Sequence, residues 1–473
     1  MILTIGVMTG NSLDAADAVL TSFDGAKIKD VCSFTVNFPQ KLREDLLGVR
    51  RLVFENKADM ATVSRNPFFV KTVKEYTELV AQSVNGLVEK SGIPKSDIAA
   101  IGFHGQTCDH FPPSVAKGED PYTLQIGDSE LLAELTGMPV IFDFRSDDIM
   151  NGGEGAPLAP VHNAHIAVDL KEKGLFPAAF CNGGNTGNIS VISTRNGETA
   201  VSGWDTGPFN HFPDYMMRLV RKEPYDADGF YGSLGNVIPD LLAELFEKAA
   251  VTRDGGNFYL QPPPKSSDPS WYRLPDAWRE YAFENALRTA EYLSAYGFFY
   301  TLSFVGEDVE MPTAFLLFGG GWKNPLIRGD FQDLLQGRGF VLPEHKEVFE
   351  KIRSRFSKTP VVQESGVTGY DGTYMEARIF ADMAYCRIVG EPFTFPQGTG
   401  CSRPTVAGII AFPETGGDLL KRLLKERGTQ TIQGQKLTQN VPKLYNRAAK
   451  GWQKSLISDD SHAFLKNIVL RLY

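Results

Sequence analysis

An aspartate in the stretch Gly203-Trp204-Asp205-Thr206-Gly207-Pro208-Phe209-Asn210 is the residue best placed to take a proton. Thr206-Gly207-Pro208 is expected to enforce a turn directly after Asp205 and hold the carboxylate at a fixed point. A carboxylate fixed at a strand-to-turn junction suits a general base. The plainer alternative is an aspartate that hydrogen-bonds its own turn. A second kind of chemistry is offered at the start of the chain. An apolar run (Ile2, Leu3, Ile5, Val7) ends in Gly10-Asn11-Ser12, Asp14 and Asp17 follow, and Ala18-Val19-Leu20 resumes the apolar pattern. This reads as strand, tight turn, strand. Such a turn can aim backbone N–H groups and hydroxyls at an anion. It lacks the Gly-Lys-Ser/Thr ending of a Walker loop and leads into a strand, so an ordinary hairpin is the other reading.

The elements needed to position these groups are legible as apolar runs with polar ends. Residues 97–103 form a strand ending in His104-Gly105-Gln106-Thr107, residues 122–126 one ending in Gly127-Asp128, and residues 139–142 one ending in Asp143-Phe144-Arg145. In open α/β sheets that edge is where ligands bind. Residues 129–135 read as a helix capped by Asp128 or Ser129. The opening pattern recurs: Ala178 to Cys181 is apolar, Asn182-Gly183-Gly184-Asn185-Thr186-Gly187-Asn188 is a turn, and Ile189 to Ile192 resumes the strand. The recurrence suggests two related halves; two unrelated hairpins would also produce it. Ala314 to Phe318 then runs into Gly319-Gly320-Gly321-Trp322-Lys323-Asn324-Pro325, where three glycines let a backbone approach something flat or charged. Residues from Pro325 have helical spacing, as do residues 374–388, which carry Glu376 near their start. Residues 262–271 are a loop by composition.

The balance of these elements is α/β, and 473 residues suggest two or three domains of about 150 residues each. Hydrophobic residues make up 42% and charged residues 22%, as in an ordinary soluble globular chain. No signal peptide or run of ~20 apolar residues is recognised, which points to the cytoplasm and away from a membrane partner. The five cysteines have no zinc-site spacing and read as reduced core thiols. The net charge of −9 is uneven. Residues 413–473 hold 11 Lys and Arg against 5 Asp and Glu, and the rest holds 37 against 52. An acidic body argues against nucleic acid as a partner. The basic tail reads as a solvated helical appendage or a partner surface.

The opening turn, its recurrence, Asp205 and the triple glycine together resemble an ATP-dependent phosphotransferase of the two-domain actin-like ATPase and sugar-kinase fold, with duplicated ribonuclease H-like domains. More closely, the chain resembles the anhydro-N-acetylmuramic acid kinase family. The blocks that carry the resemblance run in order. They are Gly6 to Asp14 with Asp17, His104-Gly105-Gln106-Thr107, Gln125-Ile126-Gly127-Asp128 with Leu132-Ala133-Glu134, and Asp143-Phe144-Arg145 with Asp148. Gly152-Gly153 with Gly155-Ala156-Pro157-Leu158 follow, then Asp205-Thr206-Gly207-Pro208 with Asn210 and Asp214, and Asp226, Asp228 and Gly229. Pro263-Pro264-Lys265-Ser266, Gly319-Gly320-Gly321 with Asn324-Pro325, and Glu376-Ala377 complete them.

The resemblance implies an N-terminal domain over residues 1–165, a C-terminal domain over 166–412 whose last helices can return to the first, and a basic extension over 413–473. It implies ATP and Mg²⁺ as cofactors, a small-molecule anhydro-sugar as partner, and is compatible with a homodimer. The implied reaction phosphorylates the 6-oxygen of 1,6-anhydro-N-acetylmuramic acid while water opens the anhydro ring, in cell-wall recycling. Asp205 is the implied base. The implied nucleotide-binding set is Gly10, Asn11, Ser12, Leu13, Asp14, Ala15, Ala16 and Asp17 in the first turn, Asn182 and Gly184 in the second, and Gly319, Gly320, Gly321 and Asn324. The implied sugar-binding set is His104, Asp143, Arg145 and Glu376, with Arg145 suited to the lactyl carboxylate. No metal ligand is assigned beyond Asp14 lying near Mg²⁺ through water. For His104 a structural role beside the sugar is the other reading, and for Glu376 a helix N-terminal residue favoured by the dipole.

The chain departs from the family pattern in places. Asn11 and Ala15 stand where the family has threonine and glycine, and an alanine forced to positive φ at 15 would be strained. Asn185 stands for a glycine, and Ser267-Asp268-Pro269-Ser270 replaces Thr-Gly-Arg-Glu. Two other readings follow: a kinase for a different anhydro-sugar such as levoglucosan, and a catalytically weak nucleotide- or sugar-binding protein.

Overall fold

The computed structural model describes residues 1–426 except 11–12, 26, 117–118, 196–197, 253–254, 264, 268 and 364–369. The chain divides into two compact units. One is Met1–Leu158 with the segment that begins at Tyr374, the other Ala159–Thr373. The chain therefore changes unit at residue 159, a few residues before the expected 166, and re-enters the first unit before the helix bearing Glu376.

In the first unit, β1 (Ile2–Thr9), β2 (Ala15–Asp24) and β3 (Lys27–Asn37) form an antiparallel meander. β4 (Ile98–Phe103) pairs parallel with β1. β5 (Gln106–Phe111) and β6 (Tyr122–Ile126) make a separate hairpin, and β7 (Val140–Phe142) lies parallel to β4. The main sheet runs β3-β2-β1-β4-β7, with Ile409–Ala411 antiparallel at its edge. The central strands are buried along nearly their whole length, so they read as largely apolar runs.

Two helices fix this sheet. Pro67–Ser91 starts with Asn66 as N-cap and proline at the first turn, and ends at Gly92 in the left-handed region. It buries Phe69, Val73, Tyr76, Val80, Val84 and Leu87 at helical spacing. Met375–Val389 crosses the central strands where Gly6 pairs with Gly102. A Cβ on Gly6 would lie 1.8 Å from the Ala377 carbonyl oxygen, and one on Gly102 would lie 2.0 Å from that of Phe380. Two glycines in register thus let the helix backbone rest on the sheet. Arg378 of this helix is fully buried and holds Asp30 of β3 through Nε and Nη2.

The helix Asp418–Glu426 packs on the Met375–Val389 helix and on β4, burying Leu420 and Leu424. The first part of the basic extension is therefore core of this unit, not a solvated appendage, because its apolar residues recur at helical spacing on one face. Residues 427–473 lie outside the described residues.

The second unit repeats the arrangement. β8 (Ala178–Gly183), β9 (Thr186–Arg195) and β10 (Glu198–Pro208) are antiparallel, β11 (Ala314–Phe318) is parallel to β8, and β12 (Val361–Gln363) is parallel to β11. The order is β10-β9-β8-β11-β12. Numbered along the chain within each main sheet, and leaving out Ile409–Ala411, both read 3-2-1-4-5 with the same strand directions. That is the duplicated ribonuclease H-like arrangement, and it makes the two hairpins equivalent rather than coincidental. The helix Phe283–Thr301 packs against β10, within an aromatic core that includes Phe209, Phe298, Trp322 and Phe331. Among the described residues no helix is long and apolar enough to cross a membrane. All five cysteines are free, three of them buried.

Candidate active site

Asp205 sits near the end of β10, but the strand does not turn after it. Pairing with β9 continues to Pro208 through an irregularity between Asp205 and Gly207. Gly207 takes φ 106°, a conformation glycine adopts without penalty, so the chain bulges where a turn was expected. At the bulge the Asp205 N–H leaves the sheet and donates to the Lys265 carbonyl at 3.1 Å. The outer edge of β10 is thereby zipped to residues 265–267.

Those residues hold the carboxylate. The Ser267 N–H donates to Asp205 Oδ2 at 2.8 Å, the Ser266 hydroxyl at 3.2 Å and the Ser267 hydroxyl at 3.3 Å. None of the three bonds reaches Oδ1. The aspartate is therefore gripped by a neighbouring loop and not by its own turn. Burial pushes its pKa above the usual carboxylate value, and the three donors and the Lys265 charge oppose that rise. Lys265 is itself buried, with Nζ over the rings of Phe258 and Phe304 and donating to the Phe258 carbonyl at 3.1 Å. Burial lowers its pKa to about 7, against the pull of Asp205.

In the same unit β8 ends at the second turn, and β11 runs parallel to β8 so that Phe318 pairs with Asn182. This brings Gly319 onto the turn. Gly319 has φ 92°, and a Cβ there would lie 2.5 Å from Asn182 Oδ1. A Cβ on Gly321 would lie 2.4 Å from Asn210 Oδ1. Gly320 differs: among the described residues nothing lies within 4 Å of a Cβ built there. Two glycines thus seat the loop, and the middle one faces open space that a flat ligand can fill. The Gly184 carbonyl accepts from the Asn210 N–H at 3.0 Å, tying the turn to the end of the Asp205 bulge. Asn324 is the N-cap of Pro325–Leu335, its Oδ1 accepting from the Leu326 N–H and its Nδ2 donating to buried Glu291 at 2.8 Å. Both ends of its amide serve the fold.

In the first unit the turn after β1 is held by Thr9, whose hydroxyl meets Tyr76 OH at 2.8 Å. Asn11 and Ser12 lie outside the described residues. The Leu13 N–H donates to the Gly10 carbonyl at 3.1 Å. Among the described residues of this turn the positive φ belongs to Leu13, at 58°, and not to Ala15, which is regular strand paired with Asn37. The strain expected at Ala15 is absent; Leu13 carries it instead, held by full burial of its side chain. Ala16 is core, and its carbonyl accepts from Ser83 at 3.1 Å. Asp14 is exposed and pairs with Arg43 at 3.6 Å. The Asp17 carboxylate accepts from Thr35 at 2.6 Å.

His104, just past β4, accepts at Nε2 from Arg145 Nε at 3.1 Å. Burial and the Arg145 charge keep its pKa well below the ordinary value, so it is a neutral acceptor that aims the guanidinium. Arg145 Nη1 donates to the Gly155 carbonyl at 2.7 Å. Asp143, at φ 57°, accepts from the Ser146 hydroxyl at 2.6 Å. Glu376 is exposed in the first turn of its helix, yet its pKa is raised, by the protein atoms around it first and then by Asp17, while Arg145 pulls it down. His104, Arg145, Glu376 and Asp17 therefore share one electrostatic neighbourhood. Gln106 has both amide atoms buried without a partner among the described residues, a state that calls for water or a ligand.

The residues that grip Asp205 were not recognised in the sequence. Lys265 and Ser266 appear there only as part of a matching block, and Ser267 only as a departure. Proline-rich composition marked the segment as a loop and carried no further signal.

One family model, anhydro-N-acetylmuramic acid kinase, matches the chain over residues 2–413. An anhydro-N-acetylmuramic acid kinase of Neisseria meningitidis serogroup C (strain 053442) is 31% identical over 417 residues, 86% of this chain and 98% of the relative. Solved structures are more distant. A ROK family glucokinase from Streptomyces griseus is 13% identical with a TM-score of 0.35, covering 80% of this chain and 98% of that one. A xylulose kinase from Lactobacillus acidophilus is 11% identical with a TM-score of 0.33, covering 92% and 100%. Those two are too distant to bear on the reaction. The match through residue 413 and the near-complete coverage of the Neisseria relative decide the matter: this chain belongs to the anhydro-N-acetylmuramic acid kinase family.

Proposed function

We propose that the chain transfers the γ-phosphoryl group of ATP to the 6-oxygen of 1,6-anhydro-N-acetylmuramic acid while water opens the anhydro bridge at C1. The products are N-acetylmuramic acid 6-phosphate and ADP. The observation that supports this reading most is the one-sided grip on Asp205, whose three donors all reach Oδ2. A carboxylate held by one oxygen offers the other, Oδ1, to a water.

Asp205 then accepts one water proton. The electron pair of the broken O–H bond forms the new C1–O bond, and the C1–O6 pair leaves with O6, which takes the phosphoryl group. Burial raises the pKa of Asp205 and makes it a stronger base than a solvated aspartate, and its donors oppose that rise. ATP supplies the phosphoryl group when bound, and Mg²⁺ offsets charge on the phosphates. The Asn182–Gly184 turn and Gly319–Gly321 fit a nucleotide because Gly319 lies against Asn182 and Gly321 against Asn210, which leaves the backbone at Gly320 facing open space among the described residues. Asp14, exposed and ionisable, suits a Mg²⁺ shell completed by water. Arg145, aimed by neutral His104, suits the lactyl carboxylate. A cytoplasmic place in peptidoglycan recycling and a homodimer belong to the same reading.

ATP-dependent phosphorylation assayed across a panel of anhydro-sugars tests it. The expected result is turnover of anhydro-N-acetylmuramic acid with kcat/KM about 100-fold or more above levoglucosan, which has no carboxylate to meet Arg145. A preference for levoglucosan would overturn it.

A further inference from the structure

The Ser267 hydroxyl does not end at Asp205. Its oxygen lies 2.5 Å from Tyr272 OH, and Tyr272 OH lies 3.0 Å from the Thr186 hydroxyl at the start of β9. Three hydroxyls thus run in line from the second turn to the candidate base. Tyr272 is buried, and its ring packs edge-on against His211 and Phe212 at 5.1 and 6.3 Å. His211 in turn meets Asn185 of the same turn at 3.1 Å.

A hydroxyl can donate one proton, and an ionised carboxylate can only accept. The terminus therefore fixes the direction of the row. Ser267 donates to Asp205, so its oxygen accepts from Tyr272, and Tyr272 accepts from Thr186. We propose that Ser267 and Tyr272 are positioning residues for Asp205, forming a one-way hydroxyl chain that secures Oδ2 and reserves Oδ1 as the atom that receives the proton. The proposal rests on Asp205 being the base. No proton travels along the chain: the water proton goes to Oδ1, and each hydroxyl keeps its own. Each bond polarises the next toward the carboxylate, so the far members act on Asp205 through Ser267.

Among the described residues the groups facing this chain are the buried Tyr259 hydroxyl, kept neutral by a raised pKa, and two that can carry charge. Lys265 adjoins Asp205 from the same loop. His211 faces Tyr272 from the helix His211–Val220, with its pKa lowered to about 4 by burial, so it is neutral at working pH. Neither reverses the direction that the carboxylate imposes.

The test compares wild type with Tyr272→Phe, Ser267→Ala and Ser267→Thr in two measurements. One is the pH profile of kcat and of KM for ATP. The other is carboxyl ¹³C NMR titration of aspartate-labelled protein, with Asp205 assigned through Asp205→Asn. Tyr272→Phe and Ser267→Ala are expected to move the Asp205 titration and the acid limb of kcat upward together, by about half a pH unit or more. KM for ATP is expected to stay within about twofold, and Ser267→Thr to restore the wild-type limb. An Asp205 titration unmoved in both hydroxyl-removing variants would overturn the chain. So would a loss of kcat uniform across pH, which marks a packing role. Should Tyr272→Phe not fold, Ser267→Ala decides alone, since its backbone N–H stays in place. A shifted titration in a protein with no turnover of anhydro-sugar would leave the chain standing and refute the kinase reading, so the two failures are distinguishable.

Discussion

Ser267 meets Asp205 twice at a single atom, its N–H 2.8 Å and its hydroxyl 3.3 Å from Oδ2. The Asp205 N–H returns a bond to the Lys265 carbonyl at 3.1 Å, so aspartate and loop are locked reciprocally. A base held this way is rigid on one side and available on the other.

Asp205→Asn is expected to lower kcat by about 10³-fold or more while nucleotide affinity stays near wild type, as for loss of a general base. Steady-state kinetics with calorimetric ATP titration checks this. Burial raises the Asp205 pKa above 3.8. A base acts ionised, so activity is expected to fall as pH drops through that raised value, placing the acid limb above that of a solvated aspartate.

Gly320 separates seating from binding. Gly320→Ala is expected to leave thermal stability near wild type, since its Cβ meets nothing within 4 Å among the described residues, and to raise KM for ATP about tenfold. Gly319→Ala, at φ 92° and 2.5 Å from Asn182 Oδ1, is expected to cost about 1–3 kcal/mol of stability as well. Melting curves and ATP kinetics on both variants distinguish the two effects.

Arg145→Leu is expected to raise KM for anhydro-N-acetylmuramic acid by about 10–100-fold, the worth of a charge-assisted pair, and to leave levoglucosan phosphorylation little changed. An equal loss for both sugars would remove Arg145 as the carboxylate partner.

The loop after the triple glycine depends on a protonated acid. Glu291 is buried beneath Asn324, and burial with the nearby Asp226 charge raises its pKa to about 8. The folded value exceeds the unfolded one, so its contribution is present below about pH 4.5 and lost as pH rises through about 8. Glu291→Gln stays neutral and keeps an oxygen for Asn324. Urea unfolding between pH 5 and 8 is expected to show a stability slope flatter than wild type by up to about 1.4 kcal/mol per pH unit. An unchanged slope would contradict the assignment.

Much of this was legible in the sequence because a strand's apolar run and its polar end are local. The strands ending near His104, Asp128, Asp143 and Gly319 lie where the alternation put them, as does the Met375–Val389 helix with Glu376 in its first turn. Asp128 caps Ser129–Thr136 by accepting from the Glu130 and Leu131 N–H groups. What failed was conformation set by distant partners. Thr206-Gly207-Pro208 has turn composition, yet the zipper to residues 265–267 and pairing with β9 stretch it into a bulged strand. Positive φ fell on Leu13 and not Ala15 because β3 draws Ala15 into the ladder. The grip of Ser267 on Asp205 links residues 62 positions apart, and Tyr272 meets Thr186 86 positions away, distances that no periodicity records.

The central claim is that Asp205 activates water against C1 while O6 takes the phosphoryl group. Turnover of anhydro-N-acetylmuramic acid in ¹⁸O-water, read by mass spectrometry and ¹³C NMR of the product, tests it most directly. One ¹⁸O at C1 and none in the C6–O–P bridge is the predicted result; product formed without ¹⁸O at C1 would contradict it.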